Sequence, residues 1–126
     1  MGNCLFDSLN VFIRLPSSHA LRLALCNYIR AHPDIFDEAV RANGYNSVED
    51  YVRKMGVNGV DGDHVCIGAA SLLFNTKVHV HMPNGRVFTE EPKEINEKTQ
   101  TAHIKWFPGH YSVSASARHR RRNKSA

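Results

Sequence analysis

Two residues in this chain have side chains able to do nucleophilic and acid–base chemistry, in local contexts that suit it. Cys4 stands in GNCLFDSL, residues 2–9, at the head of an apolar stripe with helical spacing. A thiol at the start of a helix meets the positive end of the helix dipole and unpaired backbone N–H groups, which favour the reactive thiolate. Gly2, without a side chain, lets the backbone approach a substrate carbonyl closely. The backbone of Gly2, Asn3 and Cys4 is then expected to stabilise the oxygen of a tetrahedral intermediate. His110 stands in PGHYSVSA, residues 108–115, where a Pro-Gly turn enters a strand. An imidazole held on a strand beside a tight turn has the fixed direction that a general base needs. The two work as nucleophile and base only if the fold brings the ends of the chain into one cleft. On spacing alone each also has a structural reading, as a small buried thiol and as a turn-anchoring imidazole.

The elements that must position these residues are legible in the periodicity. Leu5, Leu9 and Phe12 line one stripe of a helix over Cys4 to Ile13, widened by Phe6 and Ile13, with Pro16 ending it. Residues 19–32 form a second helix with Leu21, Leu25, Tyr28 and Ile29 on its apolar face, capped by Ser17 or Ser18 and stopped by Pro33. Phe36, Val40, Val48, Tyr51, Val52 and Met55 imply two short helices broken at Asn43-Gly44, the second opened by a loose capping box of Ser47 and Asp50. A further helix runs from about Asp63, its N-cap, to Phe74. Lys77 to Met82 alternates as a half-buried strand and turns at Pro83-Asn84-Gly85 into a return strand from Arg86. Glu90 to Gln100 reads as a loop, Ala102 to Phe107 as a strand, and His110 to Ala115 as the last strand. Helices first and strands last give an α+β fold, with helices packed on a small, mostly antiparallel sheet.

Other chemically capable residues read as structural. Cys26 and Cys66 fall on helices near apolar faces and are expected to be buried thiols. His79 and His81 share one face of a strand but lack a third ligand fixed by sequence, so a solvated face is the expectation and no metal is implied. Asp61 and Asp63 lack the remaining positions of a calcium loop. Trp106 alternates with Ile104 and is most simply core.

With 126 residues the chain makes one compact domain. No apolar run reaches the ~18 residues that span a bilayer, and the N-terminus lacks a secretory pattern, so a cytoplasmic or nuclear protein is expected. Three cysteines without a pairing motif fit reduced thiols in such a compartment. The net charge of +4 is concentrated at the C-terminus, where residues 118–126, RHRRRNKSA, carry five positive charges. Residues 1–117 are then nearly neutral, with 11 basic and 12 acidic groups. The tail reads as a solvated, disordered appendage; any nucleic-acid contact would come through it alone.

GNCLFDSL resembles the nucleophile motif of the ovarian-tumour (OTU) cysteine proteases, whose usual form is D-G-N/D-C-L-F-x-S. PGHYSV resembles their terminal H-Y motif. Between them, HALRLALCNYIRAHPDIF is similar to the family's leucine–arginine helix and the segment ending in phenylalanine. VEDYVRKM is similar to its tyrosine-containing helix, and DGDHVCIGAASLLFNTKVHVH to its W-G-D helix and following strand. The resemblance runs from about Gly2 to Val113 with the landmarks in order. It implies a papain-like fold and a deubiquitinase that needs no cofactor and has ubiquitin or ubiquitin-conjugated proteins as partners; a monomer is expected. Cys4 would be the nucleophile and His110 the base, with Gly2, Asn3 and Cys4 as oxyanion hole and Trp106 and Tyr111 lining the substrate site. Three positions depart from the family. Its aspartate before the motif falls at Met1, as in a domain truncated at its N-terminus. Ser112 replaces the Asp or Asn that orients the histidine; its hydroxyl accepts the ring N–H without supplying charge. Asp61 and Cys66 replace the tryptophan and glutamate of the W-G-D helix. The first two departures give a second reading: a catalytically impaired domain that binds ubiquitin or another protein.

Overall fold

The computed structural model describes residues 2–114. Helices α1 (Cys4–Ile13), α2 (Ser18–Ala31), α3 (Pro33–Ala42), α4 (Val48–Met55) and α5 (His64–Leu73) precede strands β1 (Thr76–His81), β2 (Val87–Glu90), β3 (Gln100–Phe107) and β4 (His110–Val113). Met1, Ala115 and the basic run 118–126 lie outside the described residues, and with them the expected end of the last strand.

The helix boundaries follow from their caps. Ser17 accepts the Ala20 amide at the head of α2, and Asp63 accepts the amides of Val65 and Cys66 at the head of α5. Pro33 closes α2 and also opens α3 at its first position, where its missing N–H costs nothing. Ser47 accepts the Asp50 amide, while the Asp50 carboxylate accepts from Asn46, one residue earlier than a capping box requires. Arg14, in a left-handed conformation, ends α1, and Asn10 bonds both the amide and the carbonyl of Leu15.

The sheet has the order β2-β1-β3-β4. Its two outer pairings are antiparallel, and the central pairing of β1 with β3 is parallel. β2 returns along one edge of β1, and residues 91–99 then cross to the other edge, so β3 re-enters in the direction of β1. The sequence shows that crossing only as a polar loop. Alternation along β1 and β3 puts Val78, Val80, Ala102 and Ile104 inward, under the helices. Leu5, Phe6, Leu9, Leu21, Leu25, Ile29 and Tyr51 complete the core from the helical side. Each such side chain contributes about 1.5–3 kcal/mol through burial. α5 packs on β1, whereas α1 packs on the edge strand β4. That second contact joins the two ends of the chain.

Candidate active site

Cys4 opens α1, and two features of its motif fix it there. The Ser8 hydroxyl donates to the Cys4 carbonyl at 2.7 Å, one turn along the helix. Leu5 and Phe6 are fully buried and anchor the first turn in the core. α1 has no side-chain cap at its N-terminus. The reason is that the Asn3 side chain turns inward instead. Its amide donates to the Asn58 side-chain oxygen at 3.1 Å. Its oxygen accepts from Arg22 at 2.7 Å and from the Gly59 amide at 3.3 Å. The first-turn amides beside Cys4 are thereby left without a side-chain acceptor.

His110 opens β4 directly after the Pro108-Gly109 turn. In the β3–β4 register His110 faces Phe107, Tyr111 faces Trp106 and Ser112 faces Lys105. β4 is one of the sheet's two edge strands, and the Tyr111 amide donates off that edge to the Cys4 sulfur at 3.3 Å. The residue after His110 is therefore bonded to the nucleophile candidate across 107 positions. Cys4 and His110 line one cavity of 260 Å³ together with Asp7, Ser8 and Ser112. His110 and Ser112, two residues apart on a strand, project to the same side of β4.

On its other flank Cys4 borders a cavity of 180 Å³ with Asp61, Asp63, His64, Trp106 and Tyr111. His64, Trp106 and Tyr111 are shared with a more open, apolar groove of 440 Å³ that adds Ile67, Val80, Met82 and Phe88. Trp106 shares the inward face with Ile104 but is only half-buried, because it forms this wall. The expectation that it is core is thus met only in part. Burial pushes the Tyr111 phenol up to about 12, so the ring borders the site as a neutral group.

The expected oxyanion residues Gly2, Asn3 and Cys4 are adjacent, and Gly2 and the Asn3 side chain have packing and bonding roles besides that were not read in the sequence. A Cβ on Gly2 would lie 1.5 Å from the Gly59 carbonyl oxygen. Gly2 is therefore required for close packing of two backbone segments. The Asn3 side chain is occupied by its bonds to Asn58, Gly59 and Arg22. Gly62 has a related role, since a Cβ there would lie 2.7 Å from a Leu5 methyl.

The remaining polar candidates are structural. Cys26 and Cys66 are buried. The Tyr51 hydroxyl donates to Asp63 at 2.7 Å and lies 3.1 Å from the Cys66 sulfur. Burial, reinforced by the Asp63 charge, raises the Cys66 thiol to about 12. His79 and His81 share the outer face of the sheet, where His79 meets the Thr89 hydroxyl at 2.9 Å and His81 meets His103 at 3.0 Å. Among the described residues no group of three or more His, Cys, Asp or Glu side chains is arranged to hold a metal ion. Among them, too, no helix is long and apolar enough to cross a membrane. Asp7 and His64, which also border Cys4, carried no signal in the sequence beyond their place in longer motifs.

No curated protein matches the sequence significantly. The fold superposes on the OTUD1 OTU domain with a TM-score of 0.69 at 18% identity, covering 89% of this chain and 78% of that one. It superposes on an ovarian tumour domain solved in complex with ubiquitin with a TM-score of 0.70 at 18% identity, covering 89% and 63% of the two chains. An OTU deubiquitinase from Wolbachia pipientis wMel, bound to ubiquitin, gives a TM-score of 0.65 at 18% identity, covering 89% and 88%. At such identities the likeness establishes the fold. The family of OTU-like cysteine proteases matches residues 1–114, from the cysteine motif through the histidine motif, and this chain belongs to it.

Proposed function

We propose that this chain is a thiol-dependent deubiquitinase, with Cys4 as nucleophile and His110 as general base. One observation supports the reading most: the amide of the residue after His110 donates to the Cys4 sulfur, inside a cavity that both side chains line. Two solved relatives in this family's fold are complexes with ubiquitin.

Chemically, His110 takes the thiol proton as Cys4 attacks the carbonyl carbon of the bond after the terminal glycine of ubiquitin. The carbonyl π electrons move onto oxygen, where the amides of Asn3 and Cys4 at the head of α1 meet the charge. The intermediate collapses with His110 donating its proton to the departing amine, and water then hydrolyses the thioester. General acid chemistry requires the amine to leave on the side of His110. That assigns the cavity with Asp7 and Ser112 to the leaving group, and the groove walled by Trp106 and Tyr111 to the extended tail of ubiquitin. Ser112 orients the imidazole through its hydroxyl. The enzyme acts as a monomer in the cytoplasm or nucleus, in keeping with its three free thiols.

A second reading, a ubiquitin-binding domain without turnover, is favoured by the uncharged Ser112 beside His110. Hydrolysis of ubiquitin carrying an amide-linked C-terminal fluorophore separates the two. Under the first reading the wild type turns over, Cys4→Ala is inactive and His110→Ala falls about 10²–10⁴-fold. Ubiquitin binding without turnover, indifferent to Cys4→Ala, would establish the second reading in its place.

A further inference from the structure

Arg22 is fully buried on α2, with its charged head directly behind the nucleophile loop. Its guanidinium stacks on the Phe6 ring at 4.1 Å. One nitrogen, Nη1, donates to the Met55 carbonyl at 2.7 Å. The other, Nη2, lies within bonding distance of three oxygens: the Val60 carbonyl at 2.6 Å, the Asn3 side-chain oxygen at 2.7 Å and the Gly2 carbonyl at 3.2 Å. Nε has no partner. A cation this deep is expensive to desolvate, and burial accordingly lowers its pKa. Stability alone is a weak reason to keep it there, because an apolar side chain of similar volume often serves as well or better.

The Gly2 contact suggests what the charge is for. The Gly2 carbonyl and the Asn3 N–H belong to one trans peptide unit, in which C=O and N–H point in opposite directions. Drawing the carbonyl to the buried Arg22 turns the Asn3 N–H the opposite way, away from the guanidinium. A cation on the carbonyl also polarises the unit and makes that N–H a stronger donor.

We propose that Arg22 is a positioning residue for the oxyanion site: through the Gly2–Asn3 peptide it presets and strengthens the Asn3 N–H as a donor to the developing oxygen anion. The proposal rests on Cys4 being the nucleophile. Arg22 itself touches no substrate.

The test compares two reactions of Cys4 in the full chain. Ubiquitin aldehyde adds reversibly: the Cys4 sulfur bonds to the carbonyl carbon, and the π electrons settle on oxygen, next to the Asn3 amide. Iodoacetamide reacts by displacement of iodide at a saturated carbon and forms no oxyanion. In folded Arg22→Lys and Arg22→Gln, kcat should fall about 10²-fold. Aldehyde affinity should weaken in parallel, KM should change little, and the iodoacetamide rate at Cys4 should stay near that of the wild type, with Arg22→Lys less impaired than Arg22→Gln. Alkylation slowing in step with kcat would overturn the proposal, since it would mean a loosened loop. So would unchanged kcat and aldehyde affinity in both variants. If neither variant folds, NMR of the wild type decides. The Asn3 amide proton and the Arg22 Nη protons should both shift as the aldehyde adduct forms, and a stationary Asn3 amide or Arg22 guanidinium overturns the assignment. A wild type that forms no adduct at Cys4 would remove the protease reading itself, and this inference with it. A wild-type adduct with unaffected Arg22 variants would remove this inference alone.

Discussion

The backbone amide of Tyr111 donates to the sulfur of Cys4 at 3.3 Å, tying the first residue of α1 to the second residue of β4. In the β3–β4 register Tyr111 opposes Trp106 between two flanking pairs. Antiparallel pairing alternates between bonded and non-bonded pairs, so such a residue can turn its N–H away from its partner strand. An edge strand thus supplies the donor that holds the nucleophile beside the histidine motif, and α1 covers the edge that would otherwise be open.

Gly2 should tolerate no side chain. In Gly2→Ala the new methyl group overlaps the Gly59 carbonyl, so the nucleophile loop and the 56–60 loop must separate. A displacement of about 1 Å at a reacting group costs on the order of 10² in rate. The expected result is a fall of about that size in kcat on fluorogenic ubiquitin with the helical circular dichroism retained. Full activity would mean that the contact with Gly59 is not needed to place Cys4.

Ser112 offers a gain of function. On β4 it projects to the same side as His110, where a carboxylate would hold the imidazole in one tautomer and stabilise its cation. Ser112→Asp should raise kcat by roughly tenfold, and Ser112→Ala should lower it several-fold. Steady-state hydrolysis of fluorogenic ubiquitin checks both, and an inert position would deny Ser112 its orienting role.

Stability should fall on the alkaline side. The Cys66 thiol, which titrates near 9.0 when unperturbed, is raised to about 12 by burial, with a further contribution from Asp63. Between those limits the unfolded chain has lost a proton that the folded chain keeps. Stability from this group is therefore fully present below pH 9 and declines above it, by up to about 1.4 kcal/mol per pH unit. Burial also raises the Tyr51 phenol strongly, extending the decline above pH 10. Urea unfolding at pH 8, 9.5 and 11 should show the decline. Cys66→Ala should remove most of its first part, Cys26 supplying the remainder. A flat profile through pH 11 would contradict the buried-thiol account.

The helices were legible because burial and capping act locally. Leu5, Leu9 and Phe12 repeat at the spacing of a helix, and Ser17, Ser47 and Asp63 mark helix starts through bonds that span two or three residues. The parallel pairing of β1 and β3 was not legible, because it depends on where residues 91–99 cross, and that path leaves no periodicity. At the site, the Cys4 and His110 motifs stood out in the sequence, but the reason for Gly2 did not. It lies in the Gly59 backbone, 57 positions away, and backbone-to-backbone contact has no residue signature on the far side. The work of Arg22 was hidden for the same reason. The sequence marks it only as the arginine of a leucine–arginine pair, and only the fold surrounds it with carbonyls from Gly2, Met55 and Val60.

The pairing of the Cys4 thiol with the His110 imidazole is tested most directly by a ubiquitin probe bearing a C-terminal electrophile, with the modified peptide identified by mass spectrometry. The wild type should carry one adduct, on Cys4, while the buried Cys26 and Cys66 stay unmodified; His110→Ala should react far more slowly, and Cys4→Ala not at all. A folded wild type that remains unlabelled, or a label that persists in Cys4→Ala, would contradict the account.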